Sequence, residues 1–274
     1  MLSVDVMPAL RDPVLVLALS GWVDAGESGA QAAAWLSGQL EGGRVFARYD
    51  LRDVIDLSQT RPRTFLDGDT RRIEWPAIAI SAGHAGRDVI VCTGPEPSLR
   101  WPTFTHELAT LFSDLGVSYV CTLAGVPAMV SHRIPTSVLV TTTSEAMAQE
   151  VGAVPHDYLG QTGAQNVIQF ALAEAGVPGV GLWAQVPHYV AANPAPSGAR
   201  ALLERLIELT EVELDLGPLD EQVAAYTAAI EAGLSERPDV AGLVQAIEDE
   251  MPEEASGDDL AAEVERFLRE HREQ

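Results

Sequence analysis

The sequence predicts an α/β fold, a three-layer sandwich with helices on both faces of a central sheet, followed by a small acidic helical domain. Three observations predict it. Short apolar runs of strand length, such as Val14–Ser20, alternate with longer segments of helical periodicity. Glycine or proline punctuates most of the junctions between them. Beyond Gly217-Pro218 the strand-like runs stop and the remaining sequence is helical in pattern and rich in acids. The reading places the α/β core in residues 1–212 and the helical domain in 213–274.

Val14 to Ser20 is continuously apolar and closed by Gly21, as suits a central strand covered on both faces. Gly26 to Leu40, rich in Ala, Gln and Leu, predicts the helix that follows, ended by Gly42-Gly43. Val45 to Tyr49 reads as a second strand, and Asp50 to Asp56 as a short strand or turn. Ser58 to Arg72 is polar and reads as an exposed loop or hairpin. Ile78–Ile80 and Val89–Thr93 flank the turn Gly83–Asp88 as paired strands would. Trp101 to Leu115 carries Phe104, Leu108, Leu111 and Leu115 on one stripe, predicting a helix that Gly116 ends before the strand Val117–Leu123. Val138–Thr143 predicts another strand, Ser144–Val151 a short helix capped by Ser144, and Ala164–Ala175 a further helix. Gly179–Val186 is the last buried strand, and a helix reaching about Thr210 follows Pro194-Ala195-Pro196. Helices over Leu219–Leu234, Val240–Met251 and Asp258–His271 form the appendage. The alternation implies a largely parallel sheet.

Charge excludes several function classes. The 274 residues hold 40 acids and 17 bases, a formal net charge of -23, which makes nucleic acid and anionic membrane poor partners. From Ala201 onward there are 21 acids and 5 arginines, an excess that serves either as a solvated face or as a docking surface for a basic partner. Every base is arginine. Without lysine the chain has no ordinary P-loop phosphate clamp, no Schiff-base amine and no lysine general base. No apolar run approaches the roughly 20 residues that span a bilayer, and the N-terminus lacks a basic segment followed by a long apolar one, so a cytoplasmic location is expected. Cys92 and Cys121 lie in apolar, β-branched surroundings and are expected as buried, reduced thiols.

In a parallel sheet, ligands gather at the carboxyl ends of strands. The segments expected there are Ser20–Gly26, Thr93–Pro97, Gly125–Pro127 and Pro187–Tyr189, which supply the cleft candidates Gly21, Trp22, Asp24, Gly26, Glu96, Trp101, Gly125, Pro127 and His188. The glycine turn opening at Gly26 offers N–H groups and a helix N-terminus to an anion, but Asp24 and Glu27 occupy that helix start, where an acidic side chain normally caps. The turn also lacks the G-x-G-x-x-G spacing of a dinucleotide site. Asp24, Glu96 and His188 are the residue types that shuttle protons if brought together. A lone histidine between Pro187 and Tyr189 reads equally as a hydrogen-bonded structural residue, and Trp22, Trp101 and Trp183 as packing. No Gly-x-Ser-x-Gly elbow, His-Glu-x-x-His motif or His/Cys cluster is present, and the six histidines are scattered, so no catalytic set, cofactor or metal is expected.

Leu19–Gly26, Glu74-Trp75-Pro76, Thr93–Pro97 with Arg100-Trp101, Gly125-Val126-Pro127 and Val186–Tyr189, in order between about Val14 and Thr210, resemble the bacterial, especially actinobacterial, branch of the proteasome-assembly-chaperone family. The resemblance implies a fold similar to purine nucleoside phosphorylases with a small helical C-terminal domain. It also implies homo-oligomers, expected as trimers, and binding of a protein partner in place of turnover. The alternative it leaves open is an enzyme or a nucleoside, nucleotide or phosphate binder using a phosphorylase-like cleft around Gly21, Asp24, Glu96 and His188. Some eukaryotic and archaeal relatives dock on proteasomes through a hydrophobic-Tyr-X tail; the sequence ends His271-Arg272-Glu273-Gln274, so that docking route is not expected.

Overall fold

The structure, a computed structural model, describes residues 1–21, 24–153 and 160–250. The chain opens with a short edge strand β1 (Leu2–Val4) and the central strand β2 (Val14–Ser20), then a 3-10 turn (Ala25–Glu27) and helix α1 (Ser28–Gln39). Strand β3 (Glu41–Asp50) leads to the two-stranded ribbon β4 (Arg63–Asp67) and β5 (Thr70–Glu74), then to β6 (Ala77–Ala85) and β7 (Arg87–Pro95). After α2 (Trp101–Asp114) come β8 (Tyr119–Ala128), β9 (Val138–Thr142), α3 (Glu145–Val151), α4 (Ala164–Glu174) and β10 (Gly179–Pro187). Helices α5 (Pro196–Thr210), α6 (Gly217–Glu236) and α7 (Pro238–Glu250) complete the described chain.

The main sheet has eight strands in the order β1-β3-β6-β7-β2-β8-β10-β9. Its centre is parallel, because β2 pairs with both β7 and β8, and β8 with β10. Both flanks are antiparallel, through β6–β7, β3–β6 and β1–β3 on one side and β9–β10 on the other. The expectation of a largely parallel sheet therefore holds at the centre and is corrected at the flanks. The tight turn at Gly86, with φ 73°, sends β7 straight back along β6, whereas a parallel neighbour requires a crossover helix.

Strand pleating divides the core into two layers. On β2, Leu15, Leu17 and Leu19 face one cluster, which includes Phe104 and Leu108 of α2 and Ile168 and Leu172 of α4. Val14, Val16 and Ala18 point the other way, toward Ala33 and Leu36 of α1 and Leu202 and Leu206 of α5. This continuous burial explains the unbroken apolar run. Each fully buried aliphatic side chain contributes about 1.5–3 kcal/mol. Cys92 and Cys121 are free and buried, and burial pushes both thiols up.

Gly42-Gly43 does not end the first helix. Leu40 is already extended and the glycines lie inside β3, where the register slips between Glu41 and Arg44 and Gly42 adopts φ 64°. A bulge requires that conformation as readily as a helix end does. The region Ser58–Arg72 holds β4 and the first residues of β5, which runs on to Glu74, and Asp50–Asp56 is a turn after the end of β3. Ser144 caps α3 as expected, its hydroxyl accepting from the Met147 N–H. The expected helix Asp258–His271 and the end of Val240–Met251 lie outside the described residues, as does Trp22. Among the described residues, no helix is long and apolar enough to cross a membrane.

Candidate functional site

Strands β7, β2, β8 and β10 are neighbours running in one direction, so their carboxyl ends share one rim. Glu96 follows β7, Gly21 and Asp24 follow β2, Gly125 and Pro127 lie near the carboxyl end of β8, and His188 follows β10. Trp101 opens α2 beside the Glu96 loop. Rim residues on β7 and β10 are three strand spacings apart, about 14 Å at roughly 4.8 Å each. Glu96 and His188 are therefore too far apart to exchange a proton directly, and no hydrogen bond among the described residues joins either of them to Asp24.

Asp24 is consumed by the fold. Its Oδ1 accepts from the Gly29 N–H at 2.7 Å and the Gly125 N–H at 3.2 Å, and Oδ2 accepts from the Ala30 N–H at 3.1 Å. One carboxylate thus caps α1 and ties it to β8. Burial raises its pKa above the usual carboxylate range, and the three N–H bonds oppose that rise. The turn offers little to an anion. The Gly26 N–H donates to the Ala191 carbonyl, the Glu27 N–H to the Asp24 carbonyl and the Ser28 N–H to the Ala25 carbonyl. Gly26, with φ 65°, also accepts from the Ala195 N–H and from the Gln31 side chain.

The glycines here serve close packing. A Cβ at Gly125 would lie 2.1 Å from the Ala25 carbonyl oxygen, and one at Gly29 would lie 2.4 Å from the Leu123 carbonyl oxygen. At Gly198 of α5 it would meet Ser28 Oγ at 2.2 Å. The turn, α1, β8 and α5 approach within backbone distance because these side chains are missing.

Glu96 also works within the fold. Its Oε1 accepts from the Ala164 N–H at 2.5 Å, at the start of α4, and burial raises its pKa against that bond. Gly21 leaves room for it, since a Cβ there would sit 3.1 Å from Glu96 Cβ. Trp101 Nε1 donates to the Pro97 carbonyl at 2.6 Å, so its ring braces the same loop. His188 differs from these residues. Its Nδ1 is buried without a hydrogen-bond partner, and its ring stands edge-on to Tyr189 at 5.5 Å. On β10 itself, Gln185 is 1% exposed with both amide atoms unpartnered. Among the described residues, no group of three His, Cys, Asp or Glu side chains is placed to hold a metal ion.

Two features escape sequence reasoning. Gln165 of α4 accepts from the Leu19 N–H and donates to the Leu123 carbonyl, bridging β2 and β8 just past the point where their pairing stops at Leu17 and Thr122. The only signal for it was a glutamine on the apolar stripe of a helix. The second is a network anchoring the last helices. His132, with a side chain 1% exposed, meets the Tyr189 hydroxyl through Nδ1 at 2.7 Å and Glu231 of α6 through Nε2 at 3.1 Å. Arg133 pairs with Glu231 and with Glu248 of α7, and the Ser131 hydroxyl donates to Glu248.

This anchor sets an acid response. The guanidinium of Arg133 holds Glu231 down at about 2, from an ordinary 4.5. Because the folded value is depressed, its contribution is present above pH 4.5 and is lost as pH falls through about 2. Amide protection in α6 and α7, taken relative to the intrinsic exchange rate at each pH, is expected to fall across that window before protection in β2 and β8 does. High salt should diminish the effect, because Glu231 is partly exposed. An equal loss of protection in the central strands would contradict a local anchor.

A family model described as the PAC2 family matches residues 18–233. A PAC2 family protein from Streptomyces avermitilis is 37% identical, with 85% of this chain and 100% of that chain covered and a TM-score of 0.78. A proteasome-assembly chaperone homologue from Mycobacterium tuberculosis is 35% identical, with 84% and 99% covered and a TM-score of 0.76. A second Mycobacterium tuberculosis protein, of unknown function, is 27% identical, with 98% and 96% covered and a TM-score of 0.86. No curated protein matches the chain.

Proposed function

The chain belongs to the PAC2 family, and from that premise we propose that it is an assembly-chaperone-like factor that works by holding a protein partner. The observation that carries the proposal is the use made of the rim. Asp24 and Glu96, its two carboxylates best suited to chemistry, hold helix N-termini, while the loops following β7 and β8 expose Leu99, Met129 and Ile134. Leu99 is 57% exposed, and apolar side chains of that exposure on loops around a rigid sheet suit a partner of complementary apolar surface. The protein acts in the cytoplasm as a homo-oligomer, a trimer by family expectation, on a fold like that of purine nucleoside phosphorylases. Residues 1–212 are read as the core and 213–274 as a helical domain, whose described part is α6 and α7.

Affinity capture of the full-length chain at native abundance, with partners identified by mass spectrometry, tests the proposal. A stable protein partner is expected with the wild type. Leu99→Asp combined with Met129→Asp should reduce its recovery at least tenfold, since anchors at an interface typically contribute 2 kcal/mol or more. Undiminished recovery would remove the rim from the proposal, and no stable partner at all would remove the proposal itself.

A specific observation favours a second reading, a small-molecule site on the phosphorylase-like cleft. The buried, unpartnered amide of Gln185 and Nδ1 of His188 lie three residues apart at the end of β10. An unpaired buried polar group costs about 1–3 kcal/mol, and a bound ligand or water would recover it. A ligand at 100 times its Kd would raise the melting temperature by about 5–10 °C.

A further inference from the structure

The ribbon β4–β5 stands apart from the rest of the molecule. Every residue from Arg63 to Trp75 is exposed, and the two strands form a sheet of their own. A lone two-stranded ribbon is marginal in water and ordinarily needs a third strand or a packing surface. Here the register puts Thr64 opposite Ile73 and Leu66 opposite Arg71, all on one face. Leu66 is 68% exposed and Ile73 58%. At its base, Arg52 lies over the Trp75 ring and pairs with Asp50 at the end of β3. An uncovered apolar face on such a ribbon describes an arm that lacks a packing surface within its own copy.

Charge indicates which molecule. The segment Arg61–Trp75 carries four of the chain's 17 arginines against three acids, in a protein of net charge -23. On the apolar face of the arm, Arg71 has no ion-pair partner among the described residues. The matching surface is on this same chain. Helix α6 exposes Ala225, Ala228 and Ala232, at helical spacing, between Glu221 and Glu236, and neither glutamate is paired among the described residues. An apolar stripe bracketed by carboxylates suits the ribbon face that carries Leu66, Ile73 and the guanidinium of Arg71. We infer that the β4–β5 arm of one copy docks on α6 of a second copy. The contact joins two different surfaces, so each copy both gives and receives an arm, and in the trimer of the reading above these contacts close a ring. The inference rests on the homo-oligomer reading above and names the surfaces that make it.

Sedimentation velocity on the full-length chain over the micromolar range tests this. The wild type is expected to associate, and to dissociate as salt rises. Leu66→Asp with Ile73→Asp, and separately Glu221→Arg with Glu236→Arg, should each weaken association at least 30-fold. Their melting temperatures should stay within a few degrees of the wild type, because all four side chains are exposed. Adding Arg71→Glu, the one arginine on the docking face, to the α6 variant should restore part of the loss. If the arm variant keeps the wild-type mass, the arm contact is overturned while the oligomer stands. If the arm variant dissociates and the α6 variant does not, docking on α6 is overturned. A wild type that stays monomeric overturns the oligomer reading and the arm contact with it.

Discussion

Replacing Asp24 with alanine is expected to destabilise the protein by about 2–4 kcal/mol, which for a chain of this size lowers the melting temperature by about 5–15 °C. Three backbone N–H groups, on Gly29, Ala30 and Gly125, lose their acceptor at once, and each belongs to a segment too tightly packed to admit water easily. The loss is smaller than three full hydrogen bonds because the wild-type carboxylate is itself poorly solvated, as its raised pKa records. The sign of the pH dependence follows from that rise. A carboxyl whose folded pKa lies above its unfolded value contributes most below the unfolded value, 3.8, and loses that contribution as pH rises through the folded one. The stability gap between the wild type and Asp24→Asn should therefore narrow as pH rises through that window. Denaturant melts of both proteins at several pH values measure it, and a gap that widens with pH would contradict a burial-dominated carboxylate.

Gly125→Ala is expected to cost about 3 kcal/mol or more, the upper part of the range for overpacking, although it adds a single methyl group. That methyl would sit 2.1 Å from a backbone oxygen, and carbonyl Ala25 cannot rotate aside as a side chain would. Relief requires the turn to move away from β8, which also stretches the bond from the Gly125 N–H to Asp24. Gly38→Ala supplies the contrast. Gly38 is exposed in α1 with no atom near a built Cβ, so alanine there should stabilise by about 0.5–1 kcal/mol. Equal effects at the two positions, in either direction, would refute the close-packing account of the turn.

These two sites also show how far the sequence could be read. The buried centre was legible because β2, β8 and β10 are apolar on both faces, and a parallel strand covered by helices leaves that signature. The rim was legible in position and only partly in role. Asp24 was readable both as a chemical candidate and as an acidic cap, because the helix it caps follows within six residues, whereas nothing in the sequence shows that Glu96 faces the N-terminus of α4. Glu96 and Ala164 are 68 residues apart. The His132 anchor was invisible for the same reason, since its partners Tyr189 and Glu231 lie 57 and 99 residues away. Gly42-Gly43 was misread because one positive-φ glycine serves a helix end and a bulge alike. The ribbon β4–β5 was readable as an exposed hairpin from its polarity, whereas the single face shared by Leu66 and Ile73 depends on a register that only the structure supplies.

The central claim is that the rim engages protein and its carboxylates serve the fold. Thermal melting of the full-length chain against nucleosides, nucleotides and inorganic phosphate tests that claim most directly. The account predicts melting temperatures unchanged within error across the series. A saturable rise of several degrees with any one of them, abolished by Gln185→Leu, would contradict it and place a small-molecule site at the end of β10.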